Sequence, residues 1–276
     1  MIRVFLRTFG CKANQYDTEV LRQALEAAGA QIVERAVDAD AAIVNSCTVT
    51  HVGEGKMRGF VRRLARARPE VRTVVVGCAA AVDDGRLAAL PRVTAVIGGA
   101  EPGRVLRALD LPVVEQGAGL RTFHGGARAW LKIQDGCDEH CTFCATTLAR
   151  GSSRSRSVDA LVAEAEALAV RHHEIVLTGV HIGAFGEDLA PGHSLGMLVE
   201  TLVNRIPDVR FRLSSVEATE LDERLTALMA GAPDRLAPHL HAPLQSGSDR
   251  MLRRMGRHWY TASEYRRRIE KLADRT

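Results

Sequence analysis

Six cysteines fall into two sets of three along the 276 residues. Cys137, Cys141 and Cys144 form one compact run, Cys137-Asp-Glu-His-Cys141-Thr-Phe-Cys144. Cys11, Cys47 and Cys78 are far apart, and each follows a short apolar stretch: Val4-Phe5-Leu6, Ala41-Ala42-Ile43-Val44 and Val74-Val75-Val76-Gly77. Short runs rich in β-branched residues read as buried parallel strands. In an open α/β sheet, residues just past the carboxyl ends of the strands share one crevice, so these three distant thiols are expected to meet in space. Soft thiolate ligands suit iron–sulfur clusters. Two three-thiolate sites point to two such clusters, each with one iron left uncovered by protein.

Other readings of the cysteines stay open at this level. Taken alone, Cys11, Cys47 or Cys78 would be a small buried hydrophobe more often than a ligand. Disulfides are disfavoured, because the chain opens on Met-Ile-Arg without a secretory signal. Zinc is the rival for the compact set, with His140 completing a Cys3His site. Against it, His140 directly precedes Cys141, and structural zinc sites usually pair two short ligand clips where here one triplet stands alone.

The elements that must position these thiols follow from pattern. With 46% apolar and 25% charged residues the chain can bury a core. No apolar run approaches the roughly 20 residues of a membrane helix, so a cytoplasmic protein without membrane contact is expected. From Ile2 to about Leu111, strand and helix alternate, including a helix from Asp17 to Ala28; this argues for a doubly wound parallel sheet. The glycine-rich stretch Glu115–Gly126 marks a boundary. A second alternation runs through strands at Ala129–Ile133, Glu174–Thr178, Val209–Leu213 and Leu236–Leu240, with helices at Val158–Val170, Leu195–Arg205, Leu221–Met229 and from Ala262. About four βα units curl toward a barrel whose active site lies at the carboxyl strand ends, but four do not close one. The expected fold is thus α/β: a doubly wound domain over 1–112, a linker over 113–127 and an incomplete (β/α) partial barrel over 128–276.

The net charge is +4, and arginine is clustered. One group is Lys56, Arg58, Arg62, Arg63, Arg66 and Arg68; the others are Arg150, Arg154 and Arg156, and Arg250, Arg253, Arg254 and Arg257. Such groups can carry phosphate backbones, although a solvated helix face explains the first about as well.

The motifs as a set resemble the radical S-adenosylmethionine (SAM) methylthiotransferases. The resemblance rests on Cys-x3-Cys-x2-Cys with Phe143 before the third cysteine, on Thr8-Phe-Gly-Cys-Lys-Ala-Asn-Gln-Tyr-Asp-Thr-Glu19, on Asn45-Ser-Cys47-Thr-Val and on Gly77-Cys78-Ala. The wording around Cys11 is most similar to the branch acting on N6-threonylcarbamoyladenosine in tRNA. Leu177–Gly183, Arg212–Glu217 and His241–Asp249 agree with that branch.

The resemblance implies a [4Fe-4S] cluster on Cys137, Cys141 and Cys144 that binds SAM and generates a 5′-deoxyadenosyl radical. It implies a second, sulfur-delivering [4Fe-4S] cluster on Cys11, Cys47 and Cys78. Methylthiolation at C2 of the adenine beside the anticodon would give 2-methylthio-N6-threonylcarbamoyladenosine. Phe143, Gly179, Ser215, Glu217, Gln245 and Ser246 would contact the cofactor, although Glu217 could instead cap a following helix. His181, His239 and His241 receive no role. The implied partners are the tRNA anticodon loop, an electron donor such as a flavodoxin or ferredoxin, and an unidentified sulfur donor. Alternatives are isopentenyladenosine in tRNA, an aspartate of a ribosomal protein, or an inactive iron–sulfur or zinc protein that binds RNA. Two departures from the family accompany these. Ala145-Thr-Thr-Leu-Ala149 stands where two bulky apolar residues and a proline are usual, and the barrel's last strands and tRNA-binding domain are lacking, so a C-terminally truncated form is expected.

Overall fold

The computed structural model of the chain describes all residues except Val49, Thr50, Gln116, Ala118 and Thr276. Val49 of the Cys47 motif and two positions of the 113–127 linker therefore lie outside the described residues. The chain forms two compact units, Met1–Leu120 with Leu148–Arg150, and Arg121–Thr147 with Gly151–Thr276.

The first unit is a parallel sheet of β1 (Arg3–Phe9), β2 (Gln31–Val33), β3 (Ala41–Ser46), β4 (Arg72–Gly77) and β5 (Val93–Gly98). Their order is β2-β1-β3-β4-β5, with every neighbouring pair parallel. Helices α1 (Lys12–Ala27), α2 (His51–Ala67), α3 (Cys78–Ala81) and α4 (Pro102–Ala108) complete it. Successive side chains of a strand point to opposite faces, so a strand covered on both sides is apolar at every position. Val4, Ile43, Val74 and Ile97 pack with Leu21 and Leu25 of α1 and Val105 and Leu106 of α4. Val44 and Val75 point the other way, onto Met57 and Val61 of α2. The strand order changes direction between β1 and β3, the kind of switch point at which such sheets bind ligands.

Helix α1 begins at Lys12, earlier than the apolar periodicity places it. Its first turns bury polar residues, Asn14 and Thr18 among them, and an apolar pattern does not register those.

The second unit holds a parallel sheet, β10-β9-β6, of β6 (Arg128–Lys132), β9 (Glu174–Thr178) and β10 (Arg210–Leu213). A short antiparallel pair, β7 (Gln134–Asp135) and β8 (Arg154–Ser155), brackets the compact cysteines in sequence. Between them in sequence, α5 (Thr146–Arg150) follows Cys144, and its residues Leu148–Arg150 group with the first unit. The helices α6 (Val158–Ala169), α7 (Leu195–Arg205), α8 (Glu223–Gly231), α9 (Asp249–Arg254) and α10 (Ala262–Ala273) come after. Helix α7 occupies the residues expected of it.

The strand expected at Leu236–Leu240 is not formed. Only two parallel bridges remain there, Phe211 to Leu236 and Ser215 to His241. Pro238 lies between them; it has no N–H to donate and interrupts a ladder. Among the described residues no helix is long and apolar enough to cross a membrane.

Candidate metal centres

In the first unit, Cys11, Cys47 and Cys78 follow β1, β3 and β4, three adjacent strands of one parallel sheet. A buried amide links their surroundings. Asn14 is fully buried. Its Nδ2 donates to Asn45 Oδ1 (3.0 Å) and to the carbonyl of Ser46 (3.3 Å), and approaches Cys78 Sγ at 3.9 Å. Its Oδ1 accepts from the thiol of Cys11 at 3.2 Å. Asn45 returns a bond to the Asn14 carbonyl (2.9 Å), and Ser46 Oγ donates to the carbonyl of Val76 (2.7 Å).

Gly77, just before Cys78, has φ +93°, and a side chain there would meet the Ser46 carbonyl at 2.6 Å. Only glycine allows that conformation and that approach. Arg150, which groups with this unit, donates from Nε to Cys78 Sγ (3.1 Å) and from Nη2 to Asp17 Oδ2 (2.9 Å). Both charged side chains are more than nine-tenths buried. Arg150 is therefore part of the thiol site's wall, not of a basic surface.

In the second unit one loop carries all three thiols. Its start is tied down where the N–H of Cys137 donates to the carbonyl of Gly151 (3.1 Å). A turn brings the Cys144 N–H to the Cys141 carbonyl (3.0 Å), and Cys144 Sγ lies 3.0 Å from Thr146 Oγ1. The loop borders a cavity of about 190 Å³ lined by the three cysteines, Phe143, His181, Ser215, Glu217, Glu220, Gln245, Arg257 and Trp259, among others.

Each of two thiols in this loop has a basic partner. His181 Nδ1 lies 3.7 Å from Cys137 Sγ, while its Nε2 bonds Glu220. Burial pulls the imidazolium of His181 down, but its bonds to Cys137 and Glu220 outweigh this and push the pKa up to about 11. Arg257 Nη1 donates to Cys141 Sγ at 3.3 Å. Burial raises the Cys141 thiol pKa, against the pull of Arg257.

The residues expected to contact the cofactor divide. Phe143, Ser215, Glu217 and Gln245 line the cavity; Phe143 is exposed and Ser215 bonds His241 Nδ1 at 3.1 Å. Gly179 and Ser246 are not among its lining residues. A side chain on Gly179 would meet the Gln134 carbonyl at 2.7 Å, so this glycine is needed for the chain's own packing. Ser246 Oγ accepts from the N–H of Ser248 at 3.1 Å, forming a local turn.

Glu217 also caps the short 3-10 helix Ala218–Glu220 through a capping box, so its capping and cavity-lining roles coexist. Asn14, His181, Glu220 and Trp259 carry no role that sequence reasoning could assign, and Arg257 reads there only as one of a basic group, whereas it is buried. The Glu217-x-x-Glu220 spacing of a capping box was the one legible signal, and it reports Glu220 alone.

All six cysteines are free thiols, and His140 is exposed. Among the described residues no three Cys, His, Asp or Glu side chains close on a single metal ion. A four-iron cluster is a larger body that takes three thiolates at separate corners, and soft sulfur donors beside cationic Arg257 and His181 fit an anionic cluster.

Residues 131–276 match the Radical SAM superfamily, and residues 3–99 match a family described as uncharacterized protein family UPF0004. The threonylcarbamoyladenosine tRNA methylthiotransferase MtaB of Bacillus subtilis is 34% identical, over 99% of this chain and 64% of its own length. The protein of the same name from Aquifex aeolicus is 33% identical, over 96% of this chain and 68% of its own. A tRNA-2-methylthio-N(6)-dimethylallyladenosine synthase from Acidithiobacillus ferrooxidans is 35% identical, over 99% of this chain and 65% of its own. The chain thus spans about two thirds of the length of these relatives. Among solved structures, the cobalamin-dependent SAM radical enzyme OxsB shares the fold at TM-score 0.62 and 11% identity, over 99% of this chain and 48% of that one. With a radical SAM domain after the UPF0004 region and MtaB-type relatives along nearly all of its length, the chain belongs to the radical SAM methylthiotransferase family.

Proposed function

We propose that the chain is a tRNA methylthiotransferase converting N6-threonylcarbamoyladenosine beside the anticodon to its 2-methylthio derivative. The observation that carries this reading is the pair of thiol triplets: one follows three adjacent strands of the first unit, and the other borders a cavity in the second. In this reading residues 1–112 form the domain of an auxiliary [4Fe-4S] cluster on Cys11, Cys47 and Cys78, and residues 113–127 are a linker. Residues 128–276 form the radical SAM domain, whose cluster is held by Cys137, Cys141 and Cys144. Such a cluster with bound SAM supplies the one-electron chemistry that removes hydrogen from an unactivated carbon, which no side-chain acid or base can do.

The protein's own groups bind and orient. Phe143, Ser215, Glu217 and Gln245 wall the SAM site, and Gly179 and Ser246 shape the backbone behind them. The charge of His181 and Arg257 offsets that of the thiolates. Lys56, Arg62, Arg63 and Arg66 of α2 are exposed, as are Arg250, Arg253, Arg254 and Arg266 to Arg268; these are the candidates for tRNA phosphates. A flavodoxin or ferredoxin would supply electrons, and the reaction belongs in the cytoplasm with the tRNA.

The threonylcarbamoyl substrate rests on the wording around Cys11 and on the MtaB relatives. The dimethylallyladenosine synthase of comparable identity supplies the second reading. Nucleoside analysis of tRNA from a deletion strain separates them. Loss of 2-methylthio-N6-threonylcarbamoyladenosine alone is expected, and loss of the dimethylallyl product instead would reassign the substrate. For the clusters, anaerobic reconstitution should give about eight iron and eight acid-labile sulfide per chain, four for each triplet. About four would withdraw the methylthiolation reading for this chain.

A further inference from the structure

The segment between α9 and α10 carries Arg257 within a basic run, yet Arg257 is buried and cannot serve as a surface cation. The backbone ahead of it packs against the cysteine loop. The N–H of Thr142 donates to the Met255 carbonyl at 3.0 Å, and Thr142 Oγ1 donates to that of Arg254 at 3.4 Å. Gly256 has φ +76°, and an added Cβ would lie 2.9 Å from the carbonyl of His140. Glycine is the residue that permits both the left-handed turn and the approach.

From there the Arg257 guanidinium bonds in three directions. Nη1 donates to Cys141 Sγ (3.3 Å), Nε donates to Tyr260 Oη (3.2 Å), and Nη2 bonds Glu217 Oε1. Its cation lies 4.5 Å from the ring centre of Trp259, and Trp259 Nε1 donates to Glu217 Oε2 at 2.9 Å. Both oxygens of Glu217 are thereby held at the cavity wall. A planar, permanently charged fork suits this convergence in a way a lysine does not.

We propose that Arg257 is a positioning residue of the Cys137/Cys141/Cys144 site: it sets the reduction potential of the cluster those thiols hold and, with Trp259, fixes Glu217 for SAM binding. The inference rests on the cluster assignment proposed above. N–H···S bonds and nearby positive charge favour the reduced, more negative cluster and raise its potential. The same contacts anchor a cysteine loop in which Ala145–Ala149 replaces the family's usual proline-containing segment.

The test uses the full chain with Cys11, Cys47 and Cys78 changed to Ala, reconstituted with iron so that one cluster remains. Potential is read by EPR-monitored titration, and SAM affinity by equilibrium dialysis. Arg257→Met should move the potential to more negative values, by at least the equivalent of a tenfold change in the reduced-to-oxidised ratio, ~59 mV for one electron. It should also weaken SAM binding tenfold or more. Arg257→Lys should recover part of the potential but little of the affinity. Trp259→Phe, which leaves the bond to Cys141 in place, should weaken SAM binding with the potential unchanged.

An Arg257→Met protein with four irons and the parent's potential would overturn the proposal. So would failure of both Arg257 variants to hold iron while the parent does, because the residue would then be a folding element. A parent that itself binds no iron would instead refute the cluster assignment.

Discussion

Three strands deliver Cys11, Cys47 and Cys78, whereas a single loop delivers Cys137, Cys141 and Cys144. In the first unit the thiols inherit their positions from a hydrogen-bonded sheet, and Asn14, Asn45 and Ser46 tie the strand ends together. The arrangement is therefore part of the fold's interior. In the second unit the loop has little regular structure of its own, and residues more than a hundred positions later hold it. Each site nonetheless sets a buried arginine, ion-paired to a carboxylate, against one of its thiols: Arg150 with Asp17 on Cys78, and Arg257 with Glu217 on Cys141. The partners differ in what they face. Glu217 borders a cavity and Asp17 belongs to a packed helix. The same charge arrangement thus stands in a closed wall in one unit and at an open cavity in the other.

If the first site is built into the fold, removing its arginine should cost the first unit more stability than any other single change at that site. Arg150→Met leaves the buried Asp17 carboxylate without its guanidinium, a loss of ~3–5 kcal/mol for a broken buried pair. Both tryptophans, Trp130 and Trp259, lie in the second unit. Urea unfolding of the apoprotein followed by circular dichroism should therefore lose its first-unit phase early, while the tryptophan fluorescence transition stays in place. A first-unit midpoint within error of the parent would show that the ion pair does not hold that unit together.

Asn14→Ala probes the same site at the next level down. It strips Asn45 Oδ1 and the Ser46 carbonyl of a buried donor, which costs about 1–3 kcal/mol. Amide exchange by mass spectrometry should report it as faster exchange at the ends of β1 and β3, next to Cys11 and Cys47. Protection equal to the parent's would mean that the amide is incidental to the strand ends.

The contrast between the two sites also explains what was legible in the sequence. Cysteines at the ends of β-branched runs announce a sheet-borne site, because parallel strands bury both faces and their carboxyl ends converge by topology. The compact triplet is legible for the opposite reason, since all its thiols are local. What holds each site was not. Asn14 falls in a helical turn whose polar residues are buried, so a periodicity of apolar residues starts α1 too late. Arg257 stands in a run of exposed arginines and differs from Arg253 and Arg254 only in being inside, a distinction set by the turn at Gly256 and the packing of Trp259 and Tyr260. His181 reads as an ordinary histidine until Cys137 and Glu220 flank it. A motif records which atoms bind; the groups that place them are fixed by tertiary contacts.

The smallest expected effect compares one thiol from each site in the absence of metal. Cys78 is buried and accepts the Arg150 Nε–H, whereas Cys144 is exposed and its sulfur contacts only the neighbouring Thr146 among the bonds described. In chelator-treated apoprotein, Cys78→Ala removes the buried sulfur that accepts the Arg150 Nε–H, which costs on the order of 1–2 kcal/mol. Cys144→Ala changes a solvated loop and should fall within about 0.5 kcal/mol of the parent. On the proposed cluster assignment, loss of iron should show no such asymmetry, since each substitution would take one of three ligands from its own cluster and should release about four irons. A matching stability loss for both cysteines would mean that the second loop is as deeply integrated as the strand ends. Equal silence would mean that Cys78 is held in place by the cluster and not by the fold around it.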